Sequence, residues 1–366
     1  MSILVIGGGP AGAAAARVLA RAGRAVTVLE REAGPADKVC GDFVSGEALV
    51  ALAAAGVDAA TLGAAPIHHV RFADGRRLGR VALPFPAAGL SRRALDAALL
   101  DAAAAAGAQV RRGVSVRTLR PAGGGFVAEG PDVPAGRVLL ATGKHGLRGA
   151  PRPAVPGPLV GIKTYYRLAG AQADALCGHV EIITYDGGYA GLQPVEGGQA
   201  NLCLLVTAAR LRAAGGPEGL IARLCATVPH LGLRLAGAVP MLPRPLAVAG
   251  LAYGHVHRPA ADDPAGLYRL GDQAAVIPSL AGDGIAIALH TGHLAAADVL
   301  AGADAGAYPA RLRRDLAGQV GRATLVHRAI AAPLGRAALV AAAALLPGLV
   351  RMGARMTRVA AQPAWS

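Results

Sequence analysis

The chain has 366 residues, enough for two domains or for one large domain with an inserted sheet. Hydrophobic residues make up 53% but aromatic residues only 3%, so a core has to be built from Ala, Leu and Val. The net charge of +14 is almost wholly arginine, because Lys38, Lys144 and Lys163 are the only lysines, and without basic clusters interleaved with stacking aromatics it argues against nucleic acid as a partner. Cys40, Cys177, Cys203 and Cys225 are widely spaced with no Cys-x-x-Cys, which excludes a disulfide framework and a cysteine zinc site. His68-His69, His255/His257 and His290/His293 lack a carboxylate or cysteine partner at ligand spacing, so no metal is expected. The chain enters an apolar run at once, with no leader before it, and the expectation is a cytoplasmic protein.

In chain order, Ser2–Ile6 reads as a buried strand that stops at Gly7-Gly8-Gly9-Pro10-Ala11-Gly12. An alanine-rich helix follows from Ala13 to Ala22, then a strand Ala25–Leu29 closed by Glu30. In this strand, Gly-x-Gly-x-x-Gly, helix, strand, acid pattern each part has a physical task. Gly7 makes the tight turn, Gly9 lets a pyrophosphate approach the backbone, and Gly12 lets helix and strand pack closely. Free N–H groups at the helix start face the phosphates. Glu30 can accept from a ribose 2′-OH and disfavours a 2′-phosphate, which suits FAD or NAD better than NADP.

Lys38-Val39-Cys40-Gly41-Asp42 follows a polar loop, and a helix is expected over 46–55. Residues 67–72 and 77–83 flank Asp74-Gly75 and read as a hairpin broken by Pro84–Pro86. Ser91 caps a helix running to Ala106, and Gly107 ends it. Strands are expected over 109–112, 114–119, 125–129 and 137–141. The four prolines in 151–158 suggest a crossover between domains. Strands over 159–168, 178–184, 188–194 and 199–206, with a helix near 217–227, read as an antiparallel sheet with a covering helix. The nucleotide-binding pattern then returns as strand Gly266–Leu270, Gly271-Asp272, a loop with Gly282-Asp283-Gly284, and a helix Ile285–Leu300.

The expected fold is therefore α/β. A discontinuous Rossmann-like domain occupies 1–155 and 245–310, an inserted substrate domain with an antiparallel sheet occupies 156–244 (joined by the hairpin 67–86), and a helical segment covers 311–366. That last segment holds nine arginines and one acid, Asp315, from Arg311 to Arg358. Its apolar run 337–350 is too short to span a bilayer. Two readings stay open for it: helices that cap the substrate domain, or a basic surface, including Arg351, Arg355 and Arg358, that docks on an anionic membrane or an acidic carrier protein.

Three separated motifs resemble the FAD-dependent oxidoreductases with the para-hydroxybenzoate hydroxylase fold, and within them the geranylgeranyl reductase-like branch. They are Gly7–Glu30, Lys38–Asp42 with Ser91–Asp96, and Gly271-Asp272-Gln273-Ala274 with Pro278, Gly282–Ile285 and Thr291-Gly292. The resemblance implies noncovalent FAD as cofactor, with NAD(P)H or another reductant as electron donor. It implies that Gly7, Gly9, Pro10, Ala11 and Gly12 hold the pyrophosphate, and that Glu30 holds the adenosine ribose with Arg31 beside it. By the same resemblance Arg92 reaches phosphate or ribose, the backbone near Val116 meets adenine, and Gly271 with Asp272 faces the ribityl chain. The Gly282, Gly284 and Ile285 backbone meets the flavin pyrimidine. Cys40 and Asp42 fall beside the flavin, where a thiol could donate a proton and a carboxylate modulate it; a small buried cysteine in a loop is the other reading.

Two departures from the family stand out. Gly143-Lys144-His145-Gly146 occupies the place of the hydroxylases' Asp-Gly pair. Tyr189-Ala190-Gly191-Leu192-Gln193-Pro194 keeps Tyr and Pro of the prenyl reductases' Tyr-x-Trp-x-Phe-Pro but lacks both large rings. Tyr189 and Gln193 alternate on one strand face and either line a substrate pocket or pack in the sheet. The halogenases' Gly-Trp-x-Trp-x-Ile-Pro is absent. The expected function is hydride transfer between flavin and an apolar or conjugated small molecule, which a carrier could present, by C=C reduction or dehydrogenation. The alternatives are a monooxygenase, which hydroxylates or epoxidises with O₂, and an electron-relay flavoprotein.

Overall fold

The computed structural model describes residues 2–75, 77–152, 159–258, 264–303 and 305–359. Strand β1 (Ile3–Ile6) runs into α1 (Pro10–Arg21), and β2 (Val26–Glu30) returns beside it. The helix starts three residues earlier than the alanine run suggests, because Pro10 takes the first helical position, where its missing N–H costs nothing. After β3 (Phe43–Val44) and α2 (Gly46–Ala54) come a long hairpin, β4 (Ala65–Asp74) and β5 (Arg77–Gly89), then α3 (Arg92–Ala105) and β6 (Gln109–Arg112). A three-stranded meander, β7 (Thr118–Ala122), β8 (Gly125–Glu129) and β9 (Val133–Ala135), leads to β10 (Arg137–Leu140). Residues 114–117 are irregular rather than extended, so β7 begins only at Thr118.

The second part is an antiparallel run: β11 (Leu159–Arg167), α4 (Gly170–Leu176), β12 (Gly178–Tyr185), β13 (Gly188–Pro194) and β14 (Ala200–Thr207). Helices α5 (Ala208–Ala213), α6 (Pro217–Thr227) and α7 (Pro229–Leu235) and the short strands β15 (Val239–Pro240) and β16 (Leu246–Ala249) complete it. The proline-rich crossover falls mainly outside the described residues. The chain then gives β17 (Leu267–Arg269), α8 (Gly284–Leu300), α9 (Tyr308–Ala331), α10 (Pro333–Leu345) and α11 (Pro347–Met356).

The architecture is α/β, with a parallel sheet and a separate, largely antiparallel one. The first sheet has the order β17-β10-β1-β2-β6, and all its pairings are parallel. The core of α1, α3 and α8 packs on it through Ala13, Ala14, Leu95, Leu99 and Leu289, all sealed from solvent. Gly292 lets α8 approach α1, since a Cβ there would lie 2.3 Å from the Ala11 carbonyl oxygen. The second sheet orders β15-β11-β14-β13-β12-β4-β5-β3. Its hairpin differs from expectation: β5 runs through Pro84 and Pro86 to Gly89. The register jumps from His69↔Ala82 to Ile67↔Ala87, so residues 83–86 bulge out of the ladder. Prolines there leave no unmade ladder bond.

A buried ionic cluster pins α7 to the back of this sheet. The Glu181 carboxylate, on β12 and with no exposed surface, accepts from His230 Nε2 at 2.8 Å and from Arg234 Nε at 3.0 Å, and pairs with Arg71. Burial alone would raise its pKa, but the hydrogen bonds from His230 and Arg234 outweigh it and hold the group at about 2. A carboxylate depressed this way stabilises the fold above its unfolded pKa of about 4 and loses that contribution as pH falls toward 2. The depression corresponds to about 3 kcal/mol. Urea midpoints measured between pH 6 and pH 2 should therefore drop steeply below about pH 4. Glu181→Gln should lower the neutral-pH midpoint and flatten that drop.

Candidate active site

The first half of the site is made by two helix starts. α1 begins at Gly9 with no side-chain cap, and α8 begins at Asp283, whose carboxylate does not cap it either. Uncapped N-termini leave N–H groups and a positive dipole end for a ligand. Gly7 sits at φ +106°, where a Cβ would lie 2.4 Å from the Ala141 carbonyl oxygen. A Cβ on Gly12 would lie 2.0 Å from the Gly7 carbonyl oxygen. Gly9 is different. A Cβ there would meet only the end of the Arg92 side chain, Nη2 at 3.2 Å, and Asp96 Oδ2 at 3.9 Å. Gly7 and Gly12 thus shape the turn, and Gly9 faces open space.

Glu30 is buried behind this turn. Its Oε2 accepts from Gly8 N at 2.6 Å and its Oε1 from Glu32 N at 3.0 Å, with Lys38 Nζ at 3.5 Å. Burial would raise its pKa; the Glu32 amide, Lys38 and the Gly8 amide together lower it. An ionised carboxylate has about four lone-pair sites, so acceptor capacity remains for a sugar hydroxyl. Glu30 lines a small cleft with Gly8, Gly34, Lys38, Asp96 and Arg112. Arg93 closes the rim of the preceding loop through Asp37 and the Pro35 carbonyl.

Beyond Gly9 opens a cavity of about 630 Å³. Gly9, Pro10 and Ala11 line it with Arg92, as do Gly271, Asp272, Gly282, Gly284 and Ile285. Arg92 is no solvated helix-start residue. Its guanidinium bonds Asp96 twice, at 2.7 and 2.8 Å, and although burial alone would lower its pKa, the Asp96 carboxylate raises it. Asp272 lies in a 3₁₀ turn and pairs with Lys144 at 3.1 Å. That pairing raises the Lys144 pKa; burial alone would raise the Asp272 pKa, but Lys144, Arg152 and Arg92 together lower it. Gln273 Nε2 donates to the Gly143 and His145 carbonyls and fixes the Lys144 turn. Lys144 therefore stands where the family pattern has its Asp-Gly pair.

Cys40 and Asp42 come into the same cavity wall, at 0% exposure for Asp42. Asp42 has φ +57°, and its backbone N–H donates to Cys40 Sγ at 3.4 Å. Its Oδ2 accepts from Lys163 Nζ at 2.6 Å and from Tyr165 OH at 2.7 Å. Burial pushes the Asp42 pKa up, and Lys163 is the strongest of the groups that pull against it. The carboxylate thus ties the Cys40 loop to β11. Asn201 Nδ2, on β14, holds the same loop through the Cys40 carbonyl. Tyr189, Gly191 and Gln193 line the cavity from β13. Tyr189 OH shares a 2.5 Å hydrogen bond with Ser279 Oγ and accepts from Leu280 N. Gln193 Nε2 is buried and has no hydrogen-bond partner among the described residues. Arg31 and Val116 line neither space: Arg31 pairs with Glu32 at the surface, and Val116 packs behind the meander.

Several wall residues carried no sequence signal of their own. Phe72 and Phe85 come from the hairpin, Tyr253 from the loop before β17, and Leu349, Met352 and Met356 from α11. Arg358, a surface cation in the docking reading of the tail, is instead drawn inside. It pairs with buried Asp283 at 3.3 Å and lies over the Phe85 ring, while Val359 N donates to Asp283 at 2.7 Å. Only a long-range contact could have shown this.

The Cβ-free cradle, the two uncapped helix starts, the carboxylate cleft and the orphaned Gln193 donor together fit FAD. An FAD binding domain model matches residues 1–137. Menaquinone reductase of Mycolicibacterium smegmatis is 28% identical over 321 residues, 80% of this chain and 75% of that protein. The Mycobacterium tuberculosis menaquinone reductase is 29% identical over 328 residues, with the same shares. Among solved structures, a flavin-dependent brominase superposes with TM-score 0.78 at 18% identity, over 98% of this chain and 93% of that one. A flavoprotein/dehydrogenase from Cytophaga hutchinsonii gives TM-score 0.76 at 17% identity, over 97% and 92%. These two share the fold. The chain is an FAD-dependent oxidoreductase.

Proposed function

We propose that this FAD-dependent oxidoreductase moves hydride between flavin and an apolar, unsaturated molecule of the menaquinone type, in the manner of the geranylgeranyl reductase-like branch. The carrying observation is the continuity of the cavity. It runs from the Gly9 and Gly282 loops into a chamber walled by Val70, Phe72, Leu83, Phe85, Val180 and Ile182, none of them charged. Burial of such surface favours an apolar ligand by about 25 cal/mol per Å². The name of the relatives supports a menaquinone-type substrate.

FAD, when bound, supplies the hydride chemistry; NAD(P)H or another reductant supplies the electrons. The residues of the chain bind, orient and exclude water. Arg92 and the α1 start neutralise phosphate charge. The uncapped α8 start would offer its N–H groups to the flavin ring and favour negative charge there. Tyr189 anchors the loop before α8 through Ser279 and Leu280. Of the two thiols in the wall, Cys203 is pushed up to about 12 by burial, which keeps its proton in place. Cys40, in the cavity wall on the loop held by Asp42, is the proton donor of this proposal.

The test incubates reduced enzyme with menaquinone and with shorter polyprenyl substrates, then reads product mass after exposure to air. A stable gain of two hydrogens is expected, and Cys40→Ser should slow it at least about tenfold with FAD content unchanged. Gain of one oxygen atom would assign oxygen transfer instead. A gain that air reverses would mean the quinone ring alone is reduced, and flavin oxidation without any product would mean electron relay.

A further inference from the structure

The mouth of the chamber has an unusual surface. Four residues of α9 and α11 both line the cavity and are largely exposed: Val326, Leu349, Met352 and Met356. Leu345 and Leu346, at 77% and 59% exposure, extend the same surface at the α10–α11 junction. Leu349, Met352 and Met356 recur at spacings of three and four, one face of α11, and Leu345 ends α10 just before the break at Leu346. Exposed large apolar residues scattered singly need no explanation, but a run of them around a cavity entrance does.

Charge marks the same surface. No acidic residue follows Asp315 in the sequence. Arg351 and Arg355 are exposed on α11 beside Met352 and Met356, and no ion pair engages either among the described residues. The opposite side of α11 is anchored. Val350 packs on the hairpin core, and Arg358 just beyond the helix holds Asp283. α10 is anchored too, because Gly79 lets it approach β5 so closely that a Cβ there would lie 2.6 Å from Ala343 Cβ. These helices are a fixed rim with an apolar, cationic outer face. No single helix among the described residues is long and apolar enough to cross a membrane.

We propose that the α10–α11 face docks in the interface of an anionic lipid bilayer and opens the chamber to it, so that an apolar substrate enters from the lipid without crossing water. This rests on the apolar-substrate reading only for its purpose. The surface itself is argued from exposure and charge. An interfacial helix of this kind buries its apolar face at the headgroup boundary and is held there by arginines that reach anionic lipids.

The experiment is flotation of the full-length holoprotein with phosphatidylcholine vesicles, with and without phosphatidylglycerol, across a salt series. The expected result is binding to the anionic vesicles that weakens steeply with salt. Arg351→Gln/Arg355→Gln should weaken it roughly 30-fold at low salt, about fivefold per arginine. Leu345→Gln/Leu346→Gln, at two positions that do not line the cavity, should lower binding to anionic vesicles at every salt concentration. Flavin spectrum and content should be native in both variants, which separates lost docking from lost folding. Failure of the wild type to float with anionic vesicles at low salt overturns the proposal. So does equal flotation of wild type and both variants, or light scattering that shows a dimer which the leucine variant dissolves, since the face would then belong to a second copy. Turnover of a water-soluble short substrate without vesicle binding would sink docking and leave hydride transfer standing; vesicle binding without turnover would do the reverse.

Discussion

Gly9→Val should purify as a folded but colourless protein, with FAD affinity lowered at least about 100-fold, or about 2.7 kcal/mol. The reasoning depends on the direction in which each glycine faces. At Gly9 the only neighbours within reach of a Cβ are the flexible end of Arg92 and Asp96, so the fold accommodates a side chain. The space it fills is the one a pyrophosphate needs to reach the α1 amides. Gly12→Val is the contrasting control. Its Cβ would lie 2.0 Å from the Gly7 carbonyl oxygen and 3.0 Å from Val5 Cγ1, so α1 has to leave β1 and the protein should lose its fold along with its cofactor. Circular dichroism and FAD titration on both variants decide the matter. A Gly9→Val protein that stays yellow would show that the phosphates lie elsewhere.

Lys163→Met should be the most destabilising single change in the second sheet, by about 3–5 kcal/mol. Lys163 and Asp42 are both at 0% exposure, 2.6 Å apart, with Tyr165 completing the cluster. Removing the ammonium leaves a buried carboxylate whose other oxygen, Oδ1, already lacks a hydrogen-bond partner. Asp42→Asn/Lys163→Met should recover much of the loss, because a neutral amide has no charge to desolvate and asparagine tolerates the φ of +57° at that position. The pH dependence has a definite sign. In the Lys163→Met variant only the weaker pulls of the Tyr165 hydrogen bond and the Arg92 charge still oppose the burial that raises the Asp42 pKa. A carboxyl with a raised folded pKa is least costly when protonated, so the deficit against wild type should shrink as pH falls toward the unfolded value of about 4 and grow as pH rises. A deficit independent of pH would mean that Lys163 matters only through its packing.

The first thirty residues announce their structure because each constraint there is local. The glycines, the helix and the acid lie within hydrogen-bonding reach of one another, and Glu30 does bond Gly8. The strands of the second sheet were legible for the same reason, their alternation being set by nearest neighbours. Pro84 and Pro86 misled because a bulge depends on the partner strand, which the pattern does not display. The helices α4, α5 and α7 span seven, six and seven residues, too few for a periodic signal. Lys163 gave a signal that was easy to pass over: a lone lysine within the apolar run Val160–Tyr166 requires a buried anion. Nothing near it says that the anion is Asp42. Lys144, likewise, showed only as a departure from a motif, and its partner Asp272 lies on the far side of the second sheet's sequence. The α11 residues in the cavity wall are legible in neither composition nor pattern, because that helix reaches the site through tertiary packing alone.

The clasp between Asp283, Arg358 and Val359 sets a timetable. β1 and the Gly9 turn are made well before the loop at Asp283, and that loop is completed only when Val359 arrives to donate its N–H. The cofactor cradle therefore stays unfinished until the segment just beyond α11 has been made. The second half of the nucleotide site thus depends on a segment 76 residues further along the chain, and flavin loading becomes a checkpoint on whether that segment has been made.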